Sequence, residues 1–293
     1  MRKGTFSDKI LNVSFYTIIT IFSLICIIPF VLVISSSLTS ESSILKYGYN
    51  LWPREWSLDA YRLLFKTDTI LNAYKVTIFT TVVGTIFSML FSSMAAYALS
   101  VKSFYNRNKI AFFIYFTMLF SGGLVPTYLL ITNYLHLKDS IWVLIIPSII
   151  NPWNLFLLRN FFNGIPDSLA ESAKIDGAGD ITILFKIILP ISLPGIATVG
   201  LFYALSYWNE WYKAMLYLRS TVKYPLQYII MQIMRDVQFI NDNAAQVGLA
   251  SGSNPAYTSQ MATAVVTIGP IIFLYPFLQK YFVKGLTVGS IKG

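Results

Sequence analysis

Pro166-Asp-Ser-Leu-Ala-Glu-Ser-Ala-Lys-Ile-Asp-Gly-Ala-Gly-Asp-Ile-Thr-Ile-Leu-Phe-Lys-Ile-Ile-Leu-Pro190 is a polar stretch in a strongly apolar chain. It carries Asp167, Glu171, Asp176 and Asp180 against Lys174 and Lys186. Pro166, Asp167 and Ser168 suit a helix start, where free N–H groups favour oxygen acceptors and negative charge. One short helix fits up to Ile175. Gly177 and Gly179 break it, and Asp180 is placed to cap a second helix from Ile181. The stretch therefore reads as a helix-turn-helix, apolar on one side and acidic on the other. Flanked by apolar runs of spanning length, such a unit belongs outside the lipid, at a surface.

The rest of the chain makes it a membrane protein. Of 293 residues, 55% are hydrophobic and only 12% charged, against about 25% charged in a soluble domain. Mean hydropathy is +0.61. The net charge of +9 would suggest nucleic acid in a soluble protein. Here it fits Lys and Arg gathered in cytoplasmic loops, so no nucleic-acid partner is expected. Cys26 is the single cysteine and excludes an intrachain disulfide.

Six spans are expected, within one domain covering residues 1–293. The first is about 10–34. It follows Arg2, Lys3 and Lys9 and is too long for the ~7–15-residue core of a signal peptide, so it reads as uncleaved. Residues 38–68 hold Tyr47, Tyr49, Trp52, Trp56 and Tyr61, an aromatic set suited to the outer interface. The second span, 70–99, is rich in small residues, from Gly84 to Ala98, which let helices approach closely. The third, 110–131, is interrupted by Ser121-Gly-Gly-Leu-Val-Pro126, which reads as a helix end near the outer surface. The fourth is 141–161, after a short turn holding His136 and Asp139. The polar stretch 166–190 follows on the inner side. The fifth span is 191–215. Residues 219–259 read as the longest external loop, and the sixth span is 261–281. This order puts twelve Lys and Arg on inner loops and eight on outer ones, and both termini inside.

Chemistry of its own is absent from the sequence. There is no phosphate-binding Gly-Lys dipeptide, no metal motif and no cysteine cluster, and the one histidine, His136, has no partner at ligand spacing. No catalytic residue, metal or cofactor is expected on this chain. A carrier driven by an ion gradient wants acids deep in the membrane. Glu210, near an outer end, is the one acid inside an expected span. A stand-alone secondary carrier that uses it is the alternative reading.

The polar stretch resembles the "EAA" loop of binding-protein-dependent ABC importer permeases. Glu171-Ser-Ala-Lys-Ile-Asp-Gly, followed by Ile187-Ile-Leu-Pro190, matches the pattern, with Ser172 in place of an alanine. The tail Lys284-Gly-Leu-Thr-Val-Gly-Ser-Ile-Lys-Gly293 is similar to that of MalG-like permeases of carbohydrate importers. Tyr115–Tyr128 and Tyr275–Phe282 are similar to the branch for large oligosaccharides or polysaccharides, as in alginate-type importers.

The resemblance implies an all-α integral membrane fold, with a MetI-like core and a cytoplasmic coupling helix. It implies assembly in the bacterial cytoplasmic membrane with a second homologous permease, two ATP-binding subunits holding ATP and Mg, and an extracytoplasmic solute-binding protein. Glu171, Ser172, Ala173, Asp176, Gly177, Ala178 and Gly179 would couple to an ATP-binding subunit. Gly289, Ser290, Ile291, Lys292 and Gly293 would reach the ATPase dimer. The load would be an oligosaccharide, and Arg219, Lys223 and Arg235 near the outer mouth suggest an acidic one. Trp153, Asn154, Tyr207, Trp208, Asn209, Glu210, Trp211 and Tyr212 are candidates for its path, since aromatic faces stack on sugar rings and amides bond hydroxyls. An importer permease for a non-sugar solute is the nearer alternative.

Overall fold

An unbroken apolar run near the N-terminus forms one long helix, α1 (Phe6–Ser37), with Pro29 inside it. In this computed structural model, residues 6–247 and 257–268 are described. No strand occurs among them; helices account for nearly all of the regular structure. The described residues fall into two compact units, one drawn from residues 1–68 and 232–269, the other from 69–231.

In the first unit, α1 is exposed from Leu11 along its apolar length, and among the described residues its C-terminal serines bond to other segments. Ser35 donates to the Asn50 carbonyl at 2.8 Å, and Ser37 bonds the Tyr61 hydroxyl at 2.8 Å. Next come α2 (Glu41–Tyr47) and α3 (Asp59–Leu64), joined by a segment that pairs briefly with residues 38–40. Exposed Trp52 and Trp56 meet edge to face at 5.9 Å there.

In the second unit α4 (Thr69–Ser100) is the central element. Its 32 residues exceed the ~20 needed to span a bilayer. Its buried residues include Thr77, Thr80, Gly84, Ser88, Ser92 and Ala96, a stripe of small residues three or four positions apart. This stripe admits close neighbours, and α4 packs against α7 (Pro152–Asn163) and α11 (Leu193–Trp208). A Cβ on Gly84 would lie 2.7 Å from the Tyr207 ring, so the helix contact depends on glycine there. The Ser88 and Ser92 hydroxyls bond those of Tyr207 and Tyr203 at 2.9 and 2.7 Å.

Two of the expected spans are long single helices, Leu11–Ser37 and Thr69–Ser100; three more are bent pairs. The third span is not one helix. α5 (Arg107–Leu119) stops, and α6 (Leu124–Leu129) with a π-turn to Tyr134 leaves at 113°. The fourth begins as 3-10 turns over Ile141–Ser148 and bends by 47° into α7, where Asn151 caps the helix and Pro152 occupies its first position. After α8 (Asp167–Ile175), α9 (Asp180–Ile183), a π-turn and α10 (Leu189–Ile191), the chain turns by 90° into α11.

The fifth span, expected over 191–215, ends at Trp208; residues 209–211 break it before α12 (Tyr212–Tyr217). Glu210 causes the restart. Its carboxylate accepts the Lys213 N–H at 2.8 Å and pairs with the Lys213 ammonium. The loop expected over 219–259 is largely a helix, α13 (Leu226–Val247). Its apolar residues Leu226, Ile229 and Ile230 are buried, while Arg235 and Asp236 are exposed. Counting polar residues hid this amphipathic period. Residues 257–268 form a helix, α14, where the sixth span begins, and the Glu41 carboxylate caps it through the Tyr257 and Thr258 N–H groups at 2.9 Å. The remainder of that span lies outside the described residues.

Candidate functional site

The polar stretch folds into a hairpin. α8 follows the extended Pro166 and ends at Asp176. Gly177 takes φ +82°, a left-handed conformation that a side chain would strain. The Gly177 N–H bonds the Lys174 carbonyl at 3.0 Å and the Ala178 N–H bonds that of Ala173 at 2.9 Å. That pair of bonds is a Schellman C-cap. Gly179, by contrast, has φ −74° and needs no glycine conformation. Asp180 does not cap the second helix through its side chain, as Gly179 holds the cap position. Its carboxylate is turned back to the hairpin, 3.0 Å from Lys174, and accepts from the Tyr97 hydroxyl at 3.4 Å.

The hairpin is fixed to the second unit on one face. Ala170, Ala173 and Ala178 pack against the core that holds Ile183, Leu184 and Ile188. Lys102, just past α4, pairs with Asp167 in the first turn of α8. The exposed surface of α8 includes Ser168, Glu171, Ser172 and Ile175. It is less purely acidic than the sequence suggested: Ile175 is 87% exposed, and Ile181 across the turn is 70% exposed. Exposed isoleucines beside a carboxylate make a mixed surface of the kind that meets a partner. Beneath the hairpin lies a cavity of about 540 Å³ lined by Lys102, Arg107, Arg159, Asp167, Glu171 and Lys174.

A second cleft, of about 630 Å³, opens where the start of α7 meets α11. It is lined by Asn151, Trp153, Asn154, Tyr203, Ser206 and Tyr207, among others. Three of the eight candidate path residues, Trp153, Asn154 and Tyr207, therefore come together. Trp153 is 65% exposed and offers a ring face; Asn154 is buried below it. The other five do not line this cleft. Trp208 is buried, and the Asn209 amide donates to the Leu205 carbonyl and accepts from Gln227. Glu210 serves Lys213, and Trp211 meets Tyr212 edge to face at 5.6 Å.

Sequence reasoning missed Tyr203, Asn151 and Ser206. The Tyr203 hydroxyl accepts from the Asn151 N–H at 3.0 Å while bonding Ser92, so it ties α4, α7 and α11 together at the cleft floor. The matching four-residue spacing of Ser88 and Ser92 with Tyr203 and Tyr207 was the available signal.

Outside the spans, Asp139 forms a clasp. It accepts the Ser220 and Arg219 N–H groups at 3.0 Å, the Ser220 hydroxyl at 2.7 Å and the Lys223 ammonium at 3.1 Å. These bonds, the Ser220 N–H first, hold its carboxyl well below the usual carboxylate range. Lys223 thus has a carboxylate of its own, which leaves a weaker basic mouth than the sequence suggested. The tail residues Gly289, Ser290, Ile291, Lys292 and Gly293 lie outside the described residues.

Comparison with known proteins sets these features in a family. A family described as "Binding-protein-dependent transport system inner membrane component" matches residues 105–288. The chain is 45% identical over 287 residues to the polygalacturonan/rhamnogalacturonan transport system permease protein YtcP of Bacillus subtilis, covering 98% of this chain and 99% of that one. It is 31% identical to the arabinooligosaccharides transport system permease protein AraQ of the same organism, covering 92% of each. A chain in the crystal structure of a bacterial ABC transporter involved in the import of the acidic polysaccharide alginate matches with a TM-score of 0.82 and 32% identity. That match covers 96% of this chain and 100% of the other.

Proposed function

Because the chain belongs to the family of binding-protein-dependent transport system inner membrane components, we propose that it is one of two membrane subunits of an ABC importer for oligosaccharides or polysaccharide fragments. It is a transport permease, not an enzyme. The observation that carries the proposal is the hairpin. One face is locked to the core by Ala170, Ala173 and the Lys102–Asp167 pair, and the exposed surface offers Glu171 and Ile175 to a partner. A rigid projection of this kind transmits force, because a partner that moves it moves α7 to α11 with it.

In this reading the partner is an ATP-binding subunit, one of two, which holds ATP and Mg. Glu171, Ser172 and Ala173 belong to the docking helix, and Asp176 to Gly179 form the turn that keeps the hairpin stiff. Nucleotide-driven closure then biases the membrane helices between inward- and outward-facing states. A solute-binding protein delivers the load on the outer side, the membrane is the bacterial inner one, and both chain termini face the cytoplasm. The tail Gly289–Gly293 reaches toward the ATPase dimer. The cleft under Trp153, with Asn154 and Tyr207, is the part of the sugar path this chain contributes. An acidic load accords with the alginate importer as structural neighbour and with exposed Arg219.

The test uses the complete complex in lipid. Wild type should hydrolyse ATP faster with binding protein and oligosaccharide, and uptake should be competed by acidic rather than neutral oligosaccharides. Glu171→Ala should release hydrolysis from transport or loosen the ATP-binding subunit. Equal transport with no ATP-binding subunit present would overturn the reading and return attention to a stand-alone carrier.

A further inference from the structure

The break between α5 and α6 has a depth that can be reckoned. Arg107 and Lys109 set the first turn of α5 at a polar boundary, where Lys109 lies over the Tyr105 ring. At about 1.5 Å per residue, Ser121 and Gly122 lie about 18–20 Å further on, inside a hydrocarbon layer of about 30 Å. There the helix has ended. Phe120 is extended at φ −123°, ψ 117°, Gly123 takes φ +86°, and the chain turns by 113°.

Part of the freed backbone is satisfied locally. The Gly123 N–H donates to the Ser121 hydroxyl at 3.2 Å, and the Gly123 carbonyl accepts from the Thr127 hydroxyl at 2.8 Å. Among the described residues, the N–H groups of Ser121 and Gly122 have no acceptor. Both residues are exposed on this chain. Lipid tails offer no acceptor, so irregular backbone at this depth must be covered by protein or face water. The flanking surface is not one that water wets. Phe112, Phe116 and Phe120 stack along one line, with ring centroids 6.5 and 4.3 Å apart, and Ala111 is the one buried residue of α5.

We propose that the Ser121-Gly122 break and the phenylalanine line beside it form a contact surface for the second membrane subunit. That subunit supplies hydrogen-bond acceptors (hydroxyl, amide or main-chain carbonyl) opposite the two N–H groups. The proposal rests on the importer reading, because that reading brings a second subunit to this chain.

The experiment uses the assembled complex in lipid nanodiscs, with Cys26→Ser as background and Ser121→Cys or, separately, Phe112→Cys added. Each thiol carries first a photo-cross-linker and then a spin label. The expected result is a cross-link to the second membrane subunit and a label shielded from both oxygen and a water-soluble nickel chelate. Strong relaxation by oxygen would place the break in lipid, and strong relaxation by nickel would place it in an aqueous path; either overturns the proposal. A cross-link back into this chain also overturns it. If the second subunit co-purifies and the labels stay accessible, this proposal alone fails. If no second membrane subunit co-purifies, the importer reading fails with it.

Discussion

The hairpin at 166–190 and the aromatic run at 207–212 are both short, distinctive stretches, yet they yield to opposite kinds of reading. In the hairpin the constraints are local. Gly177 must adopt φ +82°, and Lys174 reaches Asp180 across one turn. In the aromatic run Tyr207 and Asn209 take their roles from partners outside the run. Tyr207 bonds Ser88, 119 positions away, and Asn209 bonds Gln227. Six adjacent residues that look like one sugar platform divide among a helix–helix contact, a helix restart and a half-exposed ring pair.

The largest expected effect tests the distant half of this comparison. Gly84→Leu places a branched side chain where a single Cβ already lies 2.7 Å from the Tyr207 ring. Neither α4 nor α11 can yield without giving up the Ser88 and Ser92 hydrogen bonds. Overpacking of this kind should cost about 3 kcal/mol, read as a lower midpoint of thermal unfolding in detergent. An unchanged midpoint would mean that the helices do not approach as closely as described.

The local half is tested by its two glycines. Gly177→Ala forces a side chain into the left-handed region and should destabilise the hairpin by about 1–2 kcal/mol. Gly179→Ala should be nearly silent, since its φ is −74° and nothing lies within 4 Å of the added carbon. ATPase coupling should fall for the first variant and not for the second. Equal effects would break the claim that one position alone sets the turn.

A smaller effect separates two residues that looked alike as path candidates. Trp153→Ala should raise the KM for transported oligosaccharide with little change in unfolding, because Trp153 is exposed at the cleft. Glu210→Gln should do the reverse. It leaves the sugar response intact and weakens the charge pair with Lys213 by about 1 kcal/mol. A loss of sugar response without a loss of stability would return Glu210 to the path.

Much of the fold was legible because membranes impose simple rules. The first two spans, the hairpin and its turn emerge from apolar length, small-residue spacing and glycine. The break in the third span was legible at Ser121–Pro126, whereas the bends within the fourth and fifth spans were not, although Pro152 and Pro194 lay in plain view. Composition marks where a helix is weakened, but not by how much it bends, 47° at Pro152 and 113° between α5 and α6. Likewise a residue count over 219–259 favours a loop because the polar face of α13 dominates it, while Leu226 and Ile229 are buried on the other face.

The Asp139 clasp extends the comparison to a third place and gives the gentlest test. In sequence it is an ordinary turn; in the fold its carboxylate gathers residues 219–223 from 80 positions away. Those bonds favour the ionised form, so the folded pKa lies below the unfolded one. The clasp's contribution is fully present above the ordinary carboxylate value of about 4 and is lost as pH falls through the depressed value in the folded state. Asp139→Asn should therefore lower the unfolding midpoint at pH 7 and make it less sensitive to acid between pH 7 and pH 3 than the wild type. Because the site is open to solvent, the difference should be modest, and smaller than that of Gly177→Ala. Parallel curves for the two proteins would show that the carboxylate holds nothing, and that the 139 turn is as independent of residues 219–223 as its sequence suggests.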